Sequence, residues 1–150
     1  GGGLSLGVTL SLKDDGSQLP DAVMSLCPWA ELDPVSESYE TNASNDPYIS
    51  RDAISAFRDL YIENESDLKD PYASPVYGDY DGFPPLLIQV GGREVLLDDS
   101  LKVAEKAKKS GCEVKLEVWD DMVHVFQGYA PFLPEANEAL EAIAKFISNK

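Results

Sequence analysis

The stretch 86–119 limits what this chain can fold into more than any other part of the sequence. It begins with LLIQV, which is apolar at nearly every position, and it ends with EVKLEVW. The intervening DDSLKVAEKAKKS has acidic residues in its first turn, lysines in its last turn and Gly111 after it, so it predicts one helix. A strand, a helix and a strand within this length predict two parallel strands joined by a right-handed crossover. The predicted fold class is therefore α/β.

The rest of the chain alternates helices with short apolar runs. We predict an apolar helix or segment near residues 4–10, a buried strand in AVMSLCPW, a helix capped by Ser50 and a last helix from Pro134. Apolar residues at helical spacing predict three buried helix faces: Ile54, Phe57, Leu60 and Tyr61; Leu97, Leu101, Ala104 and Ala107; and Ala136, Leu140, Ile143 and Ile147. The acidic stretch 30–49 and the turn-rich DPYASPVYGDYDGFPP are expected to lack regular structure.

Two loops of the predicted sheet carry ionisable side chains. Glu94 and Asp98 follow the strand LLIQV, and His124, the one histidine of the chain, follows EVKLEVW. Reactive groups of open α/β sheets collect beyond the carboxyl ends of the strands, so neighbouring parallel strands would bring Glu94 close to His124. A carboxylate beside an imidazole fixes its tautomer and makes it a usable general base. A single histidine in an acidic loop is also commonly a solvated side chain, and the pattern alone leaves both interpretations open.

The composition argues against several other classes of function. The formal net charge is −15 at pH 7, and nucleic acid and anionic membrane surfaces repel so acidic a protein. No apolar run approaches the roughly 18 residues that a membrane span needs, and the amino-terminal residues lack the basic region of a secretory signal, so we expect a cytoplasmic protein. One histidine and two separate cysteines argue against a metal site, and no motif indicates a cofactor. Cys27 and Cys112 are expected to be free thiols, although a bridge between them stays open.

Residues 3–7, GLSLG, spell G-x-S-x-G, the pattern of the turn that carries the nucleophile of many serine hydrolases. Such a turn must follow a strand, which lifts the serine hydroxyl above the sheet. Only four residues precede Ser5, and they are too few for a strand. We therefore predict that Ser5 belongs to a helix and is not a nucleophile.

The order of the motifs resembles that of a known enzyme family. The segments GGGLSLGVTL, LCPWAEL, DPYASPVYGDYDGFPPLLIQVGGREVLLDDS, WDDMVHVF and LPEANEAL together are similar to the carboxyl-terminal half of the bacterial hormone-sensitive-lipase family of α/β-hydrolase esterases. This resemblance covers nearly the whole chain. It implies that residues 1–150 are the carboxyl-terminal part of an α/β-hydrolase catalytic domain, with a mainly parallel sheet flanked by helices. It further implies that residues 36–80 include a partial helical cap segment.

The resemblance also implies roles for single residues. His124, in VHVF, matches the catalytic histidine of the family, although Val125 stands where the family more often has glycine. The triad acid of the family usually opens a D-P-L-x-D run, and counting back from the histidine places Glu94 on that acid. Asp98 matches the second aspartate of the run and stays an alternative acid. Gly1 matches the last glycine of the pentad G-x-S-A-G. We therefore expect the nucleophile and the H-G-G-G oxyanion loop to lie in an amino-terminal half that precedes Gly1.

The implied function is a serine carboxylic-ester hydrolase that acts without a cofactor on a small ester of short to medium acyl length. The isolated chain is expected to be inactive. It is also expected to bind the missing amino-terminal half or a second copy, because the strand AVMSLC would leave an open sheet edge. Two alternatives remain, a non-catalytic member of the fold that binds a small hydrophobic ligand and an inert structural fragment. The presence of His124 with Glu94 favours the enzyme.

Overall fold

Three parallel strands form the sheet, and they lie side by side in the order in which they occur in the chain. The computed structural model describes all residues 1–150, with strands β1 (Val23–Leu26), β2 (Leu86–Gly91) and β3 (Val114–Trp119). Leu86 pairs with Val23 on one side and with Val114 on the other, so the carboxyl ends of all three strands point to the same edge. Every residue of β2 is buried, as a strand covered on both faces requires. The predicted parallel βαβ unit is confirmed.

Five α-helices accompany the sheet: α1 (Gly2–Asp14), α2 (Ser38–Thr41), α3 (Arg51–Tyr61), α4 (Leu97–Lys109) and α5 (Pro134–Ser148). Short 3-10 helices lie at Glu65–Lys69, Pro75–Tyr77 and Phe126–Tyr129. The largest core cluster joins α1, α4 and the sheet through residues such as Leu6, Leu10, Ile88 and Val103. No helix combines the length and the apolar composition that crossing a membrane requires.

The G-x-S-x-G string lies inside helix α1, as predicted, and close packing explains its glycines. A Cβ atom at Gly3 would lie 2.0 Å from the carbonyl oxygen of Trp29, and one at Gly7 would lie 2.1 Å from that of Tyr72. The Ser5 hydroxyl donates a hydrogen bond to the carbonyl oxygen of Gly2 within the same helix. The string therefore allows α1 to approach two neighbouring backbone segments, and no strand-to-helix turn exists there.

The predicted buried faces of α4 and α5 are partly wrong. On α5 the buried residues are Ala136, Ala139 and Phe146, whereas Leu140 and Ile147 are exposed. Ala136 is thus buried as predicted, but Ala139 and Phe146 take the places expected for Leu140 and Ile147, each one residue earlier in the helix. At Ala139 the helix lies close to the sheet, and the carbonyl oxygen of Ala139 accepts a hydrogen bond from the Gln89 side chain of β2 at 2.9 Å.

The predicted buried face of helix α4 is correct at Ala104 and Ala107 and wrong at Leu101. The helix buries Ser100, Val103, Ala104 and Ala107 against the sheet, and Leu101 is exposed. On α3, Ser50 caps the helix as predicted by accepting a hydrogen bond from the Ala53 N–H, but Ile54 is its only buried residue. The two stretches expected to lack regular structure contain the short helix α2 and the 3-10 helix Pro75–Tyr77. Local hydrogen bonding produces such single turns without any apolar periodicity that a sequence pattern could report.

Candidate active site

Glu94 and His124 meet at the edge of the sheet where the strands end. Glu94 lies in the loop after β2 and His124 in the loop after β3, and the parallel pairing of these strands places the loops side by side. The Nδ1 atom of His124 lies 2.7 Å from the Glu94 Oε2 atom. Glu94 is completely buried, whereas about a quarter of the His124 side chain is exposed. The structure thus brings together the two residues that the sequence singled out.

Backbone contacts fix the Glu94 carboxylate in this position. The Gly91 N–H donates to Glu94 Oε1 at 2.6 Å, so each carboxylate oxygen has one partner. A Cβ atom at Gly91 would lie 2.3 Å from the carbonyl oxygen of Met122, and only glycine lets the two loops approach so closely. Since the carboxylate accepts at Nδ1, the geometry favours the His124 tautomer with its proton on Nδ1 and leaves Nε2 free to accept a proton.

Cys27 brings a third reactive side chain to this edge, and the sequence analysis did not place it there. Its Sγ atom, a Glu94 carboxylate oxygen and a His124 ring nitrogen all lie within 4.8 Å of one another. The Val125 N–H donates to Cys27 Sγ at 3.3 Å. Burial, followed by the negative charge of Glu94, raises the pKa of the Cys27 thiol far above its usual value, so the thiol is protonated at neutral pH. One signal for Cys27 was available, because it follows β1 as Glu94 follows β2.

The backbone around this cluster is strained at two positions. Cys27 has a φ of 46° and Val125 a φ of 51°, a left-handed conformation that is costly for residues with a Cβ atom and especially for the β-branched valine. Strain of this kind persists where the surroundings enforce it, and it is concentrated at functional sites. Here it turns the Cys27 sulfur and the residue after His124 towards each other.

A mainly apolar cavity of about 340 Å³ opens beside His124. Its lining residues come from α1, from the loop after β1, from α3 and from the His124 loop, and they include Trp29, Leu32, Ile49, Ile54, Phe57 and Tyr61. Phe57 and Tyr61, which are 58% exposed, were expected on a buried face of α3 and instead border this cavity. Leu60 is 85% exposed and does not line it.

A second, more open cavity also borders His124. It is lined by Tyr48, Ile49, His124, Val125, Gly128 and Tyr129 and measures about 420 Å³. The hydroxyl groups of Tyr48 and Tyr129 are hydrogen-bonded to each other in its wall. His124 therefore lies where two cavities meet, and both give small molecules access to its ring.

Asp98, the alternative acid of the sequence analysis, does not contact His124. Its carboxylate accepts a hydrogen bond from the Ser38 N–H at 2.8 Å, and the Asp98 N–H donates to the Ser38 hydroxyl at 3.2 Å. These bonds join α2 to α4. Cys27 and Cys112 are both free thiols, so the bridge that the sequence left open is absent.

Comparison with known proteins places this geometry in a family. Residues 1–128 match the model of a family described as alpha/beta hydrolase fold. The chain belongs to this family. This α/β-hydrolase chain is 37% identical over 147 residues to an acetyl-hydrolase of Streptomyces hygroscopicus and 35% identical over 149 residues to an esterase of Acinetobacter venetianus. These alignments cover 98% and 99% of the chain but 49% of each relative, so the chain spans about half the length of the curated relatives it matches.

Solved structures give the same result. An esterase/lipase from an uncultured bacterium superposes with a TM-score of 0.93 at 42% identity, over 99% of this chain and 50% of that structure. An esterase from the bacterial hormone-sensitive lipase family also superposes with a TM-score of 0.93 at 42% identity, over 97% of this chain and 49% of that one. The chain corresponds to the carboxyl-terminal half of such esterases, which confirms the resemblance.

Proposed function

We propose that residues 1–150 are the part of a serine carboxylic-ester hydrolase that supplies the histidine and the acid of its Ser-His-acid triad. The observation that carries this proposal is the 2.7 Å contact between His124 Nδ1 and the buried Glu94 carboxylate, at the end of an apolar cavity. The matched relatives from Streptomyces hygroscopicus and Acinetobacter venetianus, which are named acetyl-hydrolase and esterase, support the reaction class.

In the proposed mechanism His124 moves a proton and Glu94 keeps it oriented. His124 Nε2 takes the proton from the attacking serine hydroxyl and later gives it to the departing alcohol oxygen. Glu94 stays ionised, holds the Nδ1 proton and stabilises the imidazolium that forms between the two steps. The serine and the oxyanion donors belong, in this proposal, to an amino-terminal half that precedes Gly1.

The substrate in this proposal is a small ester with an apolar acyl group. A cavity of about 340 Å³ falls at the lower end of the range for small-molecule sites, which begins near 300 Å³. Residues 36–80 act as a partial cap, because helix α3 places Phe57 and Tyr61 at the cavity. Their aromatic rings would gain apolar contact when an acyl chain fills the space.

A non-catalytic protein that binds a hydrophobic ligand would use the cavity. It would give no role to Glu94 and His124 at the end of that cavity. Such a protein gains nothing from a completely buried carboxylate that is bonded to a histidine ring. The pair therefore favours the enzyme. An inert fragment would bind no ligand, so saturable binding of a non-hydrolysable ester analogue by the 150-residue chain would contradict that reading.

The proposed function is tested by Glu94→Gln in the complete enzyme. The amide keeps the shape of the side chain but removes the charge that stabilises the imidazolium, and it no longer enforces the Nδ1 tautomer. We expect kcat for a short acyl ester to fall by about four orders of magnitude, as when a triad carboxylate becomes an amide in other serine hydrolases. Steady-state kinetics measure the loss, and thermal melts establish that the variant is folded.

The matched control for this test is Asp98→Asn. It makes the same change of carboxylate to amide nearby in the sequence, but at a side chain that contacts Ser38 and not His124. We expect it to keep most of the activity. A folded Asp98→Asn variant that loses more activity than Glu94→Gln would overturn the assignment of the acid.

A further inference from the structure

We propose that Cys27, Glu94 and His124 form a binding site for one thiophilic divalent cation such as Zn²⁺. Each of the three residues lies in the loop that follows a different strand, so the parallel sheet delivers all three to one edge. One sulfur, one carboxylate oxygen and one ring nitrogen lie within 4.8 Å of one another. No contiguous sequence motif predicts this site, because its three ligands come from separate parts of the chain.

The donor set selects the class of ion. Thiolate, imidazole and carboxylate are the side chains that bind Zn²⁺, whereas Mg²⁺ and Ca²⁺ prefer oxygen ligands alone. Ligand atoms of a tetrahedral zinc site lie about 3.5 Å apart, given zinc-to-ligand distances of about 2.0 to 2.3 Å. Side-chain movements of roughly 1 Å would therefore complete the site. Cys27 and His124 both line the apolar cavity, so a fourth ligand position can face a water molecule or a small ligand there.

The surroundings of the three side chains suit a bound cation. Binding of the ion displaces the Cys27 thiol proton to solvent, and the resulting thiolate and the Glu94 carboxylate together neutralise one divalent ion, so the loaded cluster carries no net charge at its buried position. The Val125 N–H already points at the Cys27 sulfur at 3.3 Å, and the Gly91 N–H holds the second oxygen of Glu94 at 2.6 Å. Outer bonds of this kind orient metal ligands and strengthen metal binding.

The ion would use the same two side chains as the proposed triad. With Glu94 and His124 bound to the metal, His124 is withdrawn from proton transfer, so the ion acts as an inhibitor. This consequence rests on the proposed function, whereas the site itself rests only on the geometry. The two are therefore tested by different measurements.

Cobalt(II) tests the site on the 150-residue chain, because Co²⁺ takes zinc sites and its bond to a thiolate absorbs in the near ultraviolet. We expect an absorption that saturates at one Co²⁺ per chain and disappears when Zn²⁺ is added. Cys27→Ser should abolish this absorption, and Cys112→Ser, which removes the other free thiol, should leave it unchanged. The same titration after addition of a chelator should return the spectrum of the free chain.

A second variant tests the site independently, in case Cys27→Ser does not fold. Glu94→Gln keeps the thiol and should weaken Co²⁺ binding at least tenfold. Absence of a thiolate absorption in the original chain, its persistence in Cys27→Ser, or unchanged affinity in a folded Glu94→Gln variant would each overturn the site. Zn²⁺ that binds the complete enzyme at this site without slowing ester hydrolysis would instead contradict the proposed function.

Discussion

At the scale of single residues, the orientation of His124 depends on one acceptor. The Glu94 carboxylate is buried, and its second oxygen is already used by the Gly91 N–H, so the carboxylate cannot rotate away from the ring without losing a bond. A carboxylate held in this way selects the imidazole tautomer by accepting the Nδ1 proton. Catalysis by the proposed mechanism requires this tautomer, since Nε2 must be free to accept the serine proton.

The tautomer of His124 can be measured on the 150-residue chain, because it is the only histidine. We predict that nitrogen NMR of the histidine-labelled chain shows the Nδ1–H form, and that Glu94→Gln shifts the population towards Nε2–H. The amide offers its own N–H as well as its oxygen, so it no longer enforces one form. Asp98→Asn serves as the control and should leave the spectrum unchanged. Equal tautomer populations in the original chain and Glu94→Gln would contradict the assigned hydrogen bond.

Ser5 gives a second prediction at this scale. Its hydroxyl donates to the Gly2 carbonyl oxygen inside α1, so Ser5 lies within a helix and not on a strand-to-helix turn. We predict that the isolated 150-residue chain hydrolyses a p-nitrophenyl ester no faster than an unrelated protein, and that Ser5→Ala changes nothing. A colorimetric assay over a range of chain concentrations measures this. Robust turnover that disappears in Ser5→Ala would show that the G-x-S-x-G string is functional after all.

At the scale of secondary-structure elements, Asp99 connects helix α4 to the loop after β1. It lies in the first turn of α4 and is completely buried, and one carboxylate oxygen accepts hydrogen bonds from the Ala30 and Glu31 N–H groups at 2.8 and 3.0 Å. Its other oxygen has no partner. Burial is the main reason why the pKa of Asp99 is raised to about 7. The two N–H bonds favour the ionised carboxylate, but the cost of burying its charge outweighs them, so protonation of Asp99 favours the folded state.

Asp99 should make the free energy of unfolding depend on pH. Its pKa is about 7 when folded and near 3.8 when unfolded, so the folded state holds the proton more tightly, and this stabilisation is lost as the pH rises from about 4 to 7. Asp99→Asn keeps an oxygen for the two N–H groups but cannot ionise. We predict that it is more stable than the original chain at pH 8, by on the order of 1 kcal/mol for each unit of pKa shift.

Urea unfolding of both chains at pH 5 and pH 8 measures this effect. The difference in stability between Asp99→Asn and the original chain should grow with pH, and the contributions of all other titrating groups cancel in that difference. A difference that is the same at both pH values would show that the Asp99 carboxyl group titrates normally in the folded chain.

How far the elements could be predicted depends on which physical signal each one leaves in the sequence. Strand β2 was clear because burial on both faces forces a continuous apolar run, and the order of strand, helix and strand then fixed the parallel pairing and the meeting of Glu94 with His124. Helical spacing indicates an apolar stripe but not its exact docked side. The alanines of the predicted stripes of α4 and α5 are therefore buried as expected, whereas Leu101, Leu140 and Ile147 are exposed. The proximity of Cys27 to the pair of Glu94 and His124 was missed because the sequence pattern did not show that β1 lies beside β2, and only the position of Cys27 directly after β1 pointed to it.

At the scale of the whole molecule, β1 is an edge strand of the sheet with an apolar surface beside it. Strand β1 pairs with β2 on one side only, and beside it α1 exposes Leu4 and Val8, which are 62% and 48% accessible. These residues join Leu19 and Met24 around an open apolar groove. A free strand edge together with an apolar groove promotes pairing with another chain. The matched relatives are about twice as long as this chain, and we propose that their additional half covers this side.

The β1 edge should make the purified 150-residue chain associate. We predict that light scattering finds a dimer or a larger species, or a complex with the separately expressed amino-terminal half. Leu4→Lys with Val8→Lys should shift the distribution towards monomer, because two charges would have to be buried at the contact. Leu101→Lys on α4 is the matched control, since it places a lysine on an exposed leucine elsewhere and should leave association unchanged. A stable monomer of formula mass that does not bind the amino-terminal half would refute this use of the β1 edge.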